Sequence, residues 1–93
     1  MVNLAEKFSE DEQYDDMVFY DGLENAFVGI GWRFHDGPIA IYDREKVFEI
    51  LTEEMSYEEA IEHFDFNIIG GWVGDKTPIF ITLGTPDDFV EST

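Results

Sequence analysis

The sequence predicts an α+β fold: a small antiparallel sheet of three to four strands with a pair of helices packed on one face. Three observations predict it. Residues 28–42 alternate in strand fashion around a turn signal, Asp36-Gly37. Residues 43–67 carry two apolar stripes at helical spacing, each behind its own capping residue. Residues 68–73 and 78–83 are short apolar runs bounded by Gly and Pro, which read as closing strands.

Taken in order, Leu4, Ala5 and Phe8 sit at helical spacing before a block of charge, so the first dozen residues read as a frayed helix or arm. Tyr14, Met17, Val18 and Tyr20 fit either a helical face or an edge strand. Residues 22–27 suggest one helical turn. In the strand 28–35, Gly29 and Gly31 share one face while Ile30, Trp32 and Phe34 share the other. Two glycines on one strand face predict a bulge or the close approach of another backbone. Pro38 opens the returning strand 38–42.

Asp43 is an N-cap for a helix over 43–55, whose buried stripe is Val47, Ile50, Leu51 and Met55. Ser56 with Glu59 forms a capping box for a second helix over 56–67, with Tyr57, Ala60, Ile61 and Phe64 on one face. Gly70-Gly71 is a poor helix interior, at about 1 kcal/mol per glycine, so the helix is expected to end near Asn67. The expected core is Ile30, Phe34, Ile39, Ile41, Val47, Ile50, Leu51, Ala60, Ile61, Phe64, Ile68, Trp72, Ile79 and Ile81. The segments 1–13 and 84–93 are expected to attach loosely.

Ninety-three residues suit one domain, and nine Phe, four Tyr and two Trp give it large side chains to bury. The absence of cysteine excludes disulfides, thiol nucleophiles and thiolate metal sites. No basic region precedes an apolar run at the N-terminus, and no apolar stretch approaches the ~20 residues of a membrane span. A cytoplasmic setting without membrane contact is therefore expected.

Charge is the most informative feature. Twenty-two carboxylates face five Lys or Arg, for a net −17. Phosphate binding rests on Lys and Arg, so direct nucleic-acid binding is not expected and a basic protein surface is. Glu49, Glu53, Glu54, Glu58, Glu59, Glu62 and Asp65 fall on the outer faces of the two helices, as the candidate partner-binding set. A compact domain of this length has a radius of gyration of ~12 Å and a width of roughly 30 Å. Seventeen charges of duplex DNA, at one per ~1.7 Å, span about 29 Å. That similarity suggests a DNA-mimic inhibitor. The competing explanation is an acidic solubility shell suited to high salt.

The run from Ile41 to Phe80 resembles a family of small, uncharacterised phage and bacterial proteins. Three blocks carry the resemblance: Tyr42, Asp43, Lys46, Glu49, Ile50 and Leu51; then Glu58, Glu59, Ala60, Glu62, Phe64, Phe66 and Asn67; then Gly70 or Gly71, Val73, Gly74, Thr77, Pro78 and Phe80. It covers a little under half of the chain. It implies a phage or mobile-element setting and no particular reaction.

Other chemistry is weaker. His35 and His63 are the only imidazoles, and neither has a nucleophile at a recognisable spacing. Glu59, Glu62 and His63 echo the Glu-x-x-His pattern of carboxylate-bridged metals, but those sites need a second copy, so no metal or other cofactor is expected. Gly29-x-Gly31 and Gly70-Gly71-x-x-Gly74 lack the Gly-Lys-Ser/Thr ending of a phosphate loop. A small-ligand pocket for a nucleotide-like anion, built on Trp32, Arg33 and Trp72, is the alternative binding site. Burial of the aromatic excess in a homo-oligomer is a further alternative. An enzyme is not expected.

Overall fold

A computed structural model describes residues 4–35, 37–71 and 74–90. The class is α+β as expected, with four helices and a three-stranded sheet. Strands β1 (Phe27–Arg33) and β2 (Gly37–Asp43) form an antiparallel hairpin, and β3 (Ile79–Ile81) lies on the other side of β2. Around them are α1 (Leu4–Ser9), a 3₁₀ turn at Glu24–Ala26, α2 (Arg44–Leu51), α3 (Tyr57–His63) and α4 (Pro86–Phe89). None of the helices among the described residues is long and apolar enough to cross a membrane.

The sheet is mixed, not antiparallel throughout. β3 runs parallel to β2, with Ile41, Tyr42 and Asp43 opposite Ile79, Phe80 and Ile81. The cause lies in the segment expected to be a strand over 68–73. Phe64–Ile69 instead continues α3 as a π-helical turn, and Gly70 and Gly71 follow outside any strand. The rest of that expectation, Trp72 and Val73, lies outside the described residues. With one strand fewer between β2 and β3, the chain crosses the sheet once through the helices and returns in the same direction, as a parallel pair requires.

Periodicity explains why 64–69 stays helical. Ala60, Phe64 and Ile68 follow one another at intervals of four and all are buried, whereas Phe66, midway between Phe64 and Ile68, is 78% exposed. A strand would put Phe64, Phe66 and Ile68 on the same side. Gly70 ends the turn where only a glycine fits, because a Cβ there would stand 2.7 Å from the Asp65 carbonyl oxygen.

Both predicted caps form. Asp43 Oδ1 accepts from the Glu45 and Lys46 amides at 2.9 and 3.4 Å. Ser56 Oγ accepts from the Glu59 amide at 3.2 Å, and Glu59 Oε1 accepts from the Ser56 amide at 3.4 Å. Each cap satisfies amides that the first helical turn leaves without partners. Regular helix in α2 ends earlier than expected, at Leu51, where the Thr52 hydroxyl donates to the Phe48 carbonyl at 2.8 Å. Residues 52–54 form a turn, so Glu53 and Glu54 stand on a bend and not on a helix face.

The hairpin obeys the glycine expectation. Val28 is an extra residue between the pairs Phe27–Tyr42 and Gly29–Ile41, a β-bulge that Gly29 absorbs at φ +156°. Gly31 leaves room for Ile41, whose Cδ1 lies 2.6 Å from where a Cβ would be. Of the expected Asp36-Gly37 turn, Asp36 lies outside the described residues, and Gly37 belongs to β2, where it pairs with Arg33. Phe34 therefore stands beyond the last strand pair and is 87% exposed, not in the core.

Tyr42, on the central strand, is fully buried and organises the core. Its ring stacks on Phe80 at 5.6 Å and meets Phe27 and Tyr20 edge-on at 5.9 and 6.1 Å. Phe64 continues the cluster to Phe80 at 5.2 Å and to Phe48 at 5.0 Å. Such ring pairs add about 0.5–1.5 kcal/mol beyond their buried area. Of the expected core, Ile39, Val47, Ala60, Phe64 and Ile68 are buried, and Ile30, Ile50, Leu51 and Ile61 pack against it half-exposed. Ile41, Ile79 and Ile81 are half-buried, and Trp72 is outside the described residues. Leu4, Met17, Leu23, Ala26, Ala40, Tyr42 and Phe48 belong to the buried set without having been expected there. The longest axis is 46 Å and the radius of gyration 14.6 Å, larger than the ~12 Å expected for a compact chain.

Candidate functional site

The N-terminal segment is anchored to the core by two tyrosine hydroxyls. Tyr42 Oη accepts from the Tyr20 amide at 3.0 Å, and Tyr20 Oη donates to the Ile68 carbonyl at 3.2 Å. Burial pushes the phenols of both tyrosines up; for Tyr42 the Tyr20 amide opposes this, while Glu24, Tyr20 and Asp21 add to it. These bonds hold residues 20–23 beside the end of α2 and the π-helical turn, and a hollow of about 560 Å³ opens between them.

Its floor is apolar: buried Leu23 and Ile68, with half-buried Ile50, Leu51 and Met55. Its rim carries Asp21, Glu53 and Glu54, all exposed. His63 and Asn67, one helical turn apart, lie at the far side, with the Asn67 amide donating to His63 Nδ1 at 3.2 Å. A second hollow of about 350 Å³ adjoins it, sharing Met55, His63 and Asn67 and adding Glu59, Glu62 and Phe66. No Lys or Arg lines either hollow.

All seven carboxylates expected to bind a partner are exposed. The structure gathers four of them, Glu53, Glu54, Glu59 and Glu62, around this continuous groove. Glu49, Glu58 and Asp65 line neither hollow. Among the described residues none of the seven makes an ion pair. Three of the five cations are engaged elsewhere. Arg44 sits over the Phe48 ring at 4.6 Å and 3.6 Å from Glu45. Lys76 Nζ donates to the Pro38 carbonyl at 3.2 Å and faces Asp16 at 3.8 Å. Arg33 donates to the Asp75 carbonyl at 3.3 Å.

Of the alternative ligand set, Trp32 and Arg33 are among the described residues. Trp32 and Arg33 are consecutive on β1 and so point to opposite sides of the sheet. Trp32 is 58% exposed, and Trp72 lies outside the described residues. Among the described residues no group of three or more His, Asp or Glu is placed to hold a metal ion. Sequence reasoning missed Asp21, Met55, His63 and Asn67 as groove residues. The four-residue spacing of His63 and Asn67 was a visible signal, but the approach of Asp21 depends on long-range hydrogen bonds.

Compared with family profiles, curated proteins and solved structures, the chain matches none.

Proposed function

We propose that this protein is a non-enzymatic accessory protein of phage type that binds and blocks a basic, nucleic-acid-binding protein. One observation carries the reading: carboxylates that have no ion-pair partner among the described residues surround an apolar groove lined by no Lys or Arg. Uncompensated charge of one sign raises the encounter rate with an oppositely charged surface and rejects like-charged partners. Screening over ~8 Å at physiological salt keeps that attraction local to the groove and its rim. The mimicry is of charge sign more than of duplex spacing. Along a 46 Å axis, seventeen net charges are spread more thinly than the one per ~1.7 Å of B-DNA.

The test is capture from host lysate at low salt, with elution by added duplex DNA. The expected result is a nucleic-acid-binding protein released by DNA and by salt, and not captured when Glu54, Glu58, Glu59 and Glu62 are changed to Lys. Capture that survives both salt and charge reversal would leave the acidic face as a solubility shell.

A further inference from the structure

The groove differs from a merely acidic surface in having an apolar floor. We propose that it seats one face of a basic amphipathic helix of the partner protein, an inference that rests on the acidic-face reading above. Three features select this occupant. The first is charge: Asp21, Glu53, Glu54, Glu59 and Glu62 stand along the two hollows. A small amine brings one charge to this set, whereas a helix with several Lys or Arg brings several.

The second is the floor. Leu51, Met55 and Ile68 offer apolar surface within a hollow of about 560 Å³, room for large aliphatic or aromatic side chains. Met55 lies in both hollows, and its flexible thioether adapts to different side chains. The third is backbone chemistry. The walls are helical turns, the turn at 20–23 and the bend 52–54, where the amides of Thr52, Glu53, Glu54 and Met55 already donate to the carbonyls of α2. They present no strand edge for an extended peptide to pair with, whereas a helix satisfies its own backbone and needs only side-chain contacts.

The experiment is a titration at low salt with two synthetic peptides of equal length and charge. One is a Lys/Leu helix with Leu at i, i+3, i+4 and i+7, and the other replaces every Leu by Ser. The amphipathic peptide is expected to bind at least about tenfold tighter. Asn67→Trp, at an exposed position lining both hollows, should fill the groove at constant charge. It should abolish the preference for the amphipathic peptide. Its melting temperature reports whether it is folded. In the unaltered protein, the Met55 methyl resonance should shift on adding the amphipathic peptide. This readout does not depend on the variant.

Equal affinity for the two peptides, or an unmoved Met55 methyl, overturns the groove proposal while the acidic-face reading stands. Absence of Lys/Ser binding at low salt overturns the acidic-face reading, and the groove proposal with it. Displacement of the amphipathic peptide by an equimolar simple alkylamine overturns the helix as occupant.

Discussion

The inner and outer faces of the α2–α3 pair follow opposite rules. On the inner face, Val47, Phe48, Ala60 and Phe64 are buried and meet the sheet through a continuous aromatic cluster. On the outer side, Glu49, Glu58, Glu59, Glu62 and Asp65 on the helical turns and Glu53 and Glu54 on the bend between them are exposed, and among the described residues none has an ion-pair partner. The same short segments thus hold the fold on one side and oppose it by self-repulsion on the other. The difference teaches that, Glu59 in its capping box apart, these carboxylates are not what holds the fold: Arg33, Arg44 and Lys76 contact backbone carbonyls, the Phe48 ring and other carboxylates instead.

Five variants sharpen that contrast. The largest loss should come from the inner face. Phe64→Ala removes a fully packed ring and is expected to cost about 3–5 kcal/mol, much of a small domain's stability, read from urea unfolding. If it costs under about 1 kcal/mol, the aromatic cluster is not what holds the helices.

Gly70→Ala comes next. Its Cβ would meet the Asp65 carbonyl at 2.7 Å, a backbone atom that cannot swing aside, so a loss of about 1–3 kcal/mol is expected. Gly31→Ala is the control. It presses only on the end of the Ile41 side chain, which can rotate away, and should lose less.

Tyr42→Phe keeps the ring but strips the Tyr20 amide of its acceptor, for about 1–3 kcal/mol. It should also alter the alkaline limb of stability. A phenol whose folded pKa is raised contributes stability that is fully present below its unfolded value near ~10 and is lost as pH rises through the folded value. Melting temperature against pH should therefore fall less steeply above pH ~10 in the variant.

The smallest effect belongs to the outer face and has the opposite sign. Glu54→Gln with Glu62→Gln should leave stability within about 0.5 kcal/mol, shifted upward, and more so at low salt where repulsion is least screened. A clear destabilisation would mean that these carboxylates make structural contacts, and the contrast between the faces would fail.

Local signals in this chain act over about four residues, and where they suffice the sequence was legible. Asp43 and Ser56 announce their helices because a cap needs only the next two or three amides. The paired glycines at 29 and 31 announce a bulge because the alternation of a strand is equally local, whereas the neighbour that crowds Gly31 is the Ile41 side chain and not another backbone. The net charge and its concentration on the outer helix faces are likewise properties of composition and periodicity. What the tertiary structure alone decided depends on partners far along the chain. Phe34 and Ile30 share a strand face, but Phe34 is exposed because the Trp32–Pro38 and Arg33–Gly37 pairs end the sheet before it. Ile68 could open a strand or continue a helix by its neighbours alone. The core site beside Phe64 and the Tyr20 hydroxyl on its carbonyl keep it helical, and that choice sets β3 parallel to β2. The groove follows from the same bonds, since Asp21 reaches Glu53 and Glu54 only because Tyr20 is tied to Tyr42 and Ile68. Strand direction and groove walls are set by long-range closure of the chain, which no four-residue window contains.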